Sequence, residues 1–251
     1  SLIIFASIVS QLPSQFGSSY QVTAGQGRVG QFAFLMIMFI LMIVGIIYVE
    51  QGQRRIPIQF AKRVRGRKVM GGQSTYIQLK VNSAGVIPVI FATSILFFPA
   101  LVATSLPQDN NVTAAIRNWI DINLANSQGT TWFYVFFLGI LIIFFTYFYT
   151  TIQFDPVRQS DMIRRQGGFV PGVRPGISTT NYLSHIINRI TLPGSVFLAS
   201  VAVLPSIASV IWDIPLGFSG ISILITVGVA LETMKQIESQ LSMRNYEGFI
   251  D

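Results

Sequence analysis

Lys80-Val-Asn-Ser-Ala-Gly-Val-Ile-Pro-Val-Ile-Phe-Ala-Thr-Ser-Ile-Leu-Phe-Phe-Pro99 is the stretch whose reading decides the fold class. From Val81 to Gln108 no residue is charged, and about 20 apolar residues in a helix suffice to cross a bilayer. Yet Asn82, Gly85 and Pro88 fall in what would be the first turns of that span. Polar and helix-loosening residues at membrane depth are tolerated where they face protein or a wet cavity, not lipid. The stretch therefore reads as a helix that lines something.

The rest of the chain repeats the apolar theme. Hydrophobic residues make up 51% of the 251 and charged residues only 11%, where a soluble domain carries about 25% charged. The mean hydropathy is +0.57, and the apolar residues come in blocks long enough to span. An all-α integral membrane protein, a multi-span helical bundle, is the expected class. Residues 29–49, 83–106, 131–153, 190–212 and 216–233 read as membrane helices. Residues 1–12 are too short to span and lack signal-peptide flanks. They read as the end of a helix whose beginning is missing, closed by Pro13 and Gly17.

Net charge is +7, and its placement matters more than its size. The segment 50–80 holds Arg54, Arg55, Lys62, Arg63, Arg65, Arg67, Lys68 and Lys80 against the single acid Glu50. The segment 154–189 adds Arg158, Arg164, Arg165, Arg174 and Arg189. Together with the tail, 234–251, these segments carry fifteen of the seventeen basic residues. Arg28 and Arg117 fall between the other span ends. That alternation predicts basic loops and a C-terminus on the cytoplasmic or stromal side. Nucleic-acid binding is the other reading of a basic chain, and positive-inside topology explains it more cheaply.

Within the first basic loop, residues 54–60 alternate weakly and predict a strand, with a hairpin-like projection between Gly66 and Gly71-Gly72. Within the second, 155–165 predicts a short helix with Pro156 near its start. The run Gln166–Gly176 follows, where four glycines and two prolines exclude regular structure. Residues 178–189 predict helix again, and 112–122 a short amphipathic piece whose Trp119 suits a membrane interface. Most of the arginines near span ends need only set orientation or meet anionic lipid. Arg174 fits that less well, because a glycine/proline loop presents it alone; a docking role is the other reading. Asn82 reads as a helix–helix hydrogen bond in the bundle, and Ile90 and Ile225 as lipid- or core-facing residues.

Enzyme chemistry has no visible members. There is no cysteine and one histidine, His185. No phosphate-cradling glycine motif or metal-ligand spacing occurs, so no cofactor is expected. Glu50, Asp213 and Glu232 stand at span ends and read as solvated interfacial carboxylates. A small-solute secondary transporter with broken helices is the rival reading; it predicts polar residues near the middle of several spans, and the sequence has few.

The ordered motifs Gln53-Arg-Arg-Ile-Pro57, Ala61-Lys-Arg63, Gln73-Ser-Thr75, Lys80-Val-Asn-x-Ala-Gly-Val-Ile-Pro88, Phe97-Phe-Pro99, Gly167-x-Phe-Val-Pro-Gly-x-Arg-Pro-Gly176, Arg189-Ile-Thr-Leu192 and Asn245-Tyr-Glu247 carry a resemblance. The chain closely resembles the C-terminal half of the SecY family, the channel subunit of the Sec translocon. The resemblance implies the second half of a ten-helix fold, with the N-terminal half of SecY as its complement. It implies that unfolded preproteins cross a ring of apolar side chains, to which Ile4, Ile90 and Ile225 contribute. It implies a lateral gate at Asn82, Gly85 and Pro88, where signal sequences pass into membrane lipid. The docking of the SecA motor or the ribosome falls on Arg54, Arg55, Lys62, Arg63, Arg65, Arg67, Lys68 and Arg174. SecE and SecG are the further partners it implies, and the bacterial plasma membrane or the thylakoid the location.

Overall fold

The computed structural model describes residues 2–25, 27, 29–60, 63–65, 68–70, 74–105, 111–124, 131–212 and 219–247. In chain order the elements are α1 (Leu2–Gly25), α2 (Val29–Gln51), β1 (Gln53–Phe60), β2 (Arg63–Arg65), β3 (Lys68–Met70), β4 (Ser74–Lys80), α3 (Ile87–Ser105), α4 (Asn111–Asn123), α5 (Trp132–Gln153), α6 (Pro156–Arg165), β5 (Gly168–Phe169), α7 (Ile177–Trp212) and α8 (Gly220–Glu247). Among the described residues, five helical stretches are long and apolar enough to cross a membrane: Gly30–Gln51, Ile87–Ser105, Trp132–Arg165, Ile177–Ile211 and Gly220–Ser242.

Spans α2, α3 and α5 each bury a narrow stripe and leave many apolar residues on the other faces exposed. In α2 the buried positions are Leu35, Met38, Met42 and Ile46, while Ile37, Ile40, Leu41 and Val44 are exposed. In α3 the stripe is Val89, Ala92, Leu96, Ala100 and Ala103; in α5 it is Val135, Leu138, Ile142, Thr146 and Thr150. Steps of three and four residues keep one helix face toward its neighbours. A helix that is apolar all round yet packed on one stripe suits a hydrocarbon solvent, where the outer face needs no polar cover. Buried polar groups follow the same logic. Thr146 donates to the carbonyl of Ile142 at 2.7 Å and Ser195 to that of Leu192 at 2.9 Å, so each hydroxyl is satisfied within its own helix.

α7 is the central helix. Its apolar window is 56% buried, against 22–33% for the other four, and it packs against α5, α6, α8 and α2. Outside the spans, β4, β1 and β5 form a three-stranded antiparallel sheet in that order. β1 and β4 pair from Gln53↔Lys80 to Gln59↔Ser74. Alternation in β1 sends Ile56 and Ile58 inward, where they join Leu79, Ile163, Val170, Leu183 and Ile186 in a second core. The strand expected at residues 54–60 is β1, and with β4 it makes one side of a small folded unit. α6 and the first turns of α7 form the other side.

The structure moves several element bounds. α1 does not end at Pro13: one helix runs from Leu2 to Gly25 with Pro13 inside it. One missing backbone donor is a local loss that a long helix survives. The second span starts at Ile87, not 83, because residues 81–86 form bends and a turn. The span expected at 190–212 is the second part of α7, which absorbs 178–189 without a break. α8 begins at Gly220 and passes Glu232 to reach Glu247, so that carboxylate does not end it. Residues 213–218 lie outside the described residues.

Candidate functional site

The strand-to-helix connection between β4 and α3 organises the first site. The backbone leaves the sheet at Lys80, and Val81 N–H donates to the carbonyl of Gly52 at 3.0 Å. Gly85 takes φ +65°, a left-handed conformation that glycine adopts without a Cβ penalty. α7 presses closely on this bend: a Cβ on Gly194 would stand 2.8 Å from the carbonyl oxygen of Val81. The resemblance-derived gate residues therefore sit at the start of α3 rather than inside it. Pro88 is its second residue, where the N–H has no intrahelical acceptor, so it removes no helix bond. The expectation that Pro88 loosens the span from within is thereby corrected. The looseness lies in the non-helical residues 81–86.

Asn82 is buried. Its Nδ2 donates to Glu50 Oε2 at 2.9 Å and to the carbonyl of Gly85 at 3.2 Å. Its Oδ1 is buried without a hydrogen-bond partner. The expected helix–helix hydrogen bond is corrected: Asn82 lies in the connection before α3, and its side-chain partner is the carboxylate at the end of α2. Glu50 is thus a half-buried acceptor, not a free solvated group. Nothing in the sequence flagged it, because a carboxylate at a span end has a cheap explanation and the contact crosses 32 positions.

Asn82, Gly85, Ile87 and Ile90 line one wall of a cavity of about 400 Å³. Ile225, Gly228 and Val229 of α8 line the cavity as well. Ile90 and Ile225, 135 positions apart in sequence, thus share one concave surface. Charged groups stand around it: Glu50, Lys80, Glu232 and Lys235. Ile4 belongs to α1, but its side chain lies outside the described residues.

The second site is the basic face of the small core. β2 and β3 pair from Arg63↔Met70 to Arg65↔Lys68, which brings Arg63, Arg65 and Lys68 onto one hairpin; their side chains lie outside the described residues, as do Lys62 and Arg67 altogether. Arg54 and Arg55 are exposed at the start of β1. Asp155 caps α6 by accepting from Val157 N–H at 2.9 Å and Arg158 N–H at 3.4 Å, with Pro156 at the first helical position.

The Arg174 loop is held at both ends. Val173 N–H donates to the carbonyl of Val170, and Ser160 Oγ on α6 donates to that of Gly176. Thr179 Oγ1 on α7 donates to the carbonyl of Arg174 at 3.0 Å. Gly172 and Gly176 take φ of 82° and 111°, so the turn depends on residues without a Cβ. The loop backbone is fixed while the Arg174 guanidinium stays exposed, as a docking group requires.

A sequence model of the SecY family matches residues 1–234. Protein translocase subunit SecY of Streptomyces scabiei is 46% identical over 256 residues, covering 100% of this chain and 56% of that protein. The Mycobacterium tuberculosis (strain ATCC 25618 / H37Rv) subunit is 43% identical over 258 residues, covering 100% and 57%. The chain therefore spans little more than half the length of the curated relatives it matches. Among solved structures, a SecY channel whose plug domain is described as stabilising the closed state aligns with a TM-score of 0.59 at 17% identity, covering 95% of this chain and 58% of that one. A structure described as a protein-conducting channel aligns at 0.52 and 15% identity, covering 89% and 53%. The helical bundle is thus the second half of the SecY channel fold, a multi-pass membrane protein. On the match along nearly its whole length, the chain belongs to the SecY family.

Proposed function

We propose that this chain supplies the C-terminal half of the central pore-forming subunit of the Sec protein-conducting channel. In that role it passes unfolded preproteins across the membrane and releases apolar segments sideways into lipid. The observation that carries the reading is the cavity shared by Ile90 of α3 and Ile225 of α8. Branched apolar side chains on separate helices can close around a moving polypeptide without recognising its sequence. A narrow apolar ring also resists ion flow by dewetting. Ile4 is the third member of this ring.

Asn82, Gly85 and Pro88 form the chain's edge of the lateral gate. The unpaired Oδ1 of Asn82 suits a donor from the N-terminal half of the subunit. Arg54, Arg55, Lys62, Arg63, Arg65, Arg67, Lys68 and Arg174 receive the SecA motor or the ribosome, whose phosphates or carboxylates match arginine forks. SecE and SecG complete the complex. The basic loops and C-terminal tail face the cytoplasm of a bacterial plasma membrane, or the stroma if the membrane is a thylakoid. Energy comes from the docked partner, and the chain itself performs no catalysis.

The transporter reading needs polar groups free to hold a solute: Thr146 and Ser195, buried within the spans, spend their hydroxyls on their own helices, and Thr226 of α8 is the buried span hydroxyl without a partner among the described residues. A photo-cross-linker at position 90 tests the channel reading in the assembled complex. It should capture a stalled secretory chain in transit. Capture only from lipid-facing positions such as Phe136 would overturn the reading.

A further inference from the structure

Helix α4 is amphipathic in an unusual orientation. It joins the ends of α3 and α5 remote from the basic unit and packs against α3. Thr131 Oγ1, just before α5, donates to the carbonyl of Ile122 at 2.8 Å. Ile116, Trp119 and Ile122 follow one another at steps of three, so they share one side of the helix. They are 47%, 53% and 63% exposed. Arg117 and Asp121 pair with each other at 3.7 Å on another side. The helix thus turns three bulky apolar groups outward although it lies outside the spans.

That apolar side continues a larger one. The Trp119 ring meets Phe133 of α5 edge-on, with centroids 5.6 Å apart, and Phe133 stacks on Phe137. Phe136, Ile140 and Phe144 extend the exposed stripe down α5, a helix apolar enough to face hydrocarbon. A surface continuous with a lipid-facing stripe, at the level where the spans end, meets the lipid headgroups and upper acyl chains. Tryptophan is favoured at that depth because its ring is apolar and its N–H is polar.

We propose that α4 is an interfacial helix, lying on the lipid surface with Ile116, Trp119 and Ile122 inserted about 5–10 Å into the headgroup boundary. It ties the outer ends of α3 and α5 to one membrane depth. Its single cation is neutralised within the helix, so insertion does not depend on anionic lipid.

The test uses the complete complex reconstituted in phosphatidylcholine vesicles, in a background free of other cysteines. Ile116→Cys, Ile122→Cys and, as the water-side control, Asp121→Cys each carry an environment-sensitive fluorophore. The control breaks only an exposed ion pair of small worth. At 116 and 122 the emission should be blue-shifted, lost to a spin label near the top of the lipid acyl chain, and unaffected by iodide. At 121 iodide should quench. Quenching of 116 and 122 by iodide would overturn the proposal, since the face would then be in water. Protection from both quenchers would equally overturn it, because protein would cover the face. A channel function could fail its own cross-linking test and leave these readings unchanged.

Discussion

At the scale of single residues, Glu50 and Arg174 make separable predictions. Among the described residues, Glu50 is the one side chain that accepts a hydrogen bond from Asn82 Nδ2. Glu50→Gln keeps a carbonyl acceptor, whereas Glu50→Leu leaves a buried Nδ2 short of a partner. A bond to a charged group contributes about 1.5–3 kcal/mol and a neutral one about 0.5–1.5, while an orphaned buried donor costs about 1–3. The purified complex should therefore melt slightly lower with Gln and clearly lower with Leu. Equal melting temperatures would mean that the contact is not formed. Arg174 differs because its fixed part is the backbone: Thr179 holds its carbonyl, and the side chain is exposed. Arg174→Glu should leave assembly and melting unchanged while reducing motor-driven preprotein transport in vesicles at least tenfold, a loss of about 1.4 kcal/mol or more in coupling. Loss of assembly instead would assign the arginine to folding.

At the scale of elements, α3 and α8 line one cavity that includes Ile90 and Ile225, the residues proposed to form the apolar constriction. Replacing Ile90 and Ile225 together by Asn puts hydrogen-bonding groups where branched apolar ones stood, so water should wet the constriction more readily. Ion conductance of the reconstituted channel should rise, and signal-sequence selectivity should loosen. Unchanged conductance would show that these residues do not form the seal. Elements were also where the sequence was most and least readable. Long uncharged runs set the spans, because hydropathy is a property of the residues themselves. Asp155 followed by Pro156 announced α6, because capping is local. The true start of α3 was hidden: Asn82, Gly85 and Pro88 are the same residues whether they loosen a helix or precede it, and the close approach of Gly194 to Val81 decides between them. Pro13 misled for the converse reason, since a breaker in an isolated helix is tolerated in a long one with neighbours. The pairing of Ile90 with Ile225 was reached by resemblance alone, as periodicity cannot bring together residues on distant helices.

At the scale of the whole molecule, two hydrophobic cores share one helix. The larger core joins α2, α3, α5, α7 and α8; the smaller joins β1, β4, α6 and the first turns of α7. α7 is continuous over 36 residues, so a single helix links the basic projection to the spans. Leu183 lies on α7 within the smaller core and is fully buried. Leu183→Ala removes apolar contacts there and leaves a cavity, at a cost of about 2–5 kcal/mol. A core this small has little stability in reserve, so the projection should open while the spans, stabilised separately, stay inserted. Hydrogen exchange should show faster exchange in β1, β4 and α6 with α5 and the apolar half of α7 unchanged. Motor binding should weaken in parallel even though no basic residue has been altered. If α5 exchanged faster as well, the two cores would be one cooperative unit, coupled through α7.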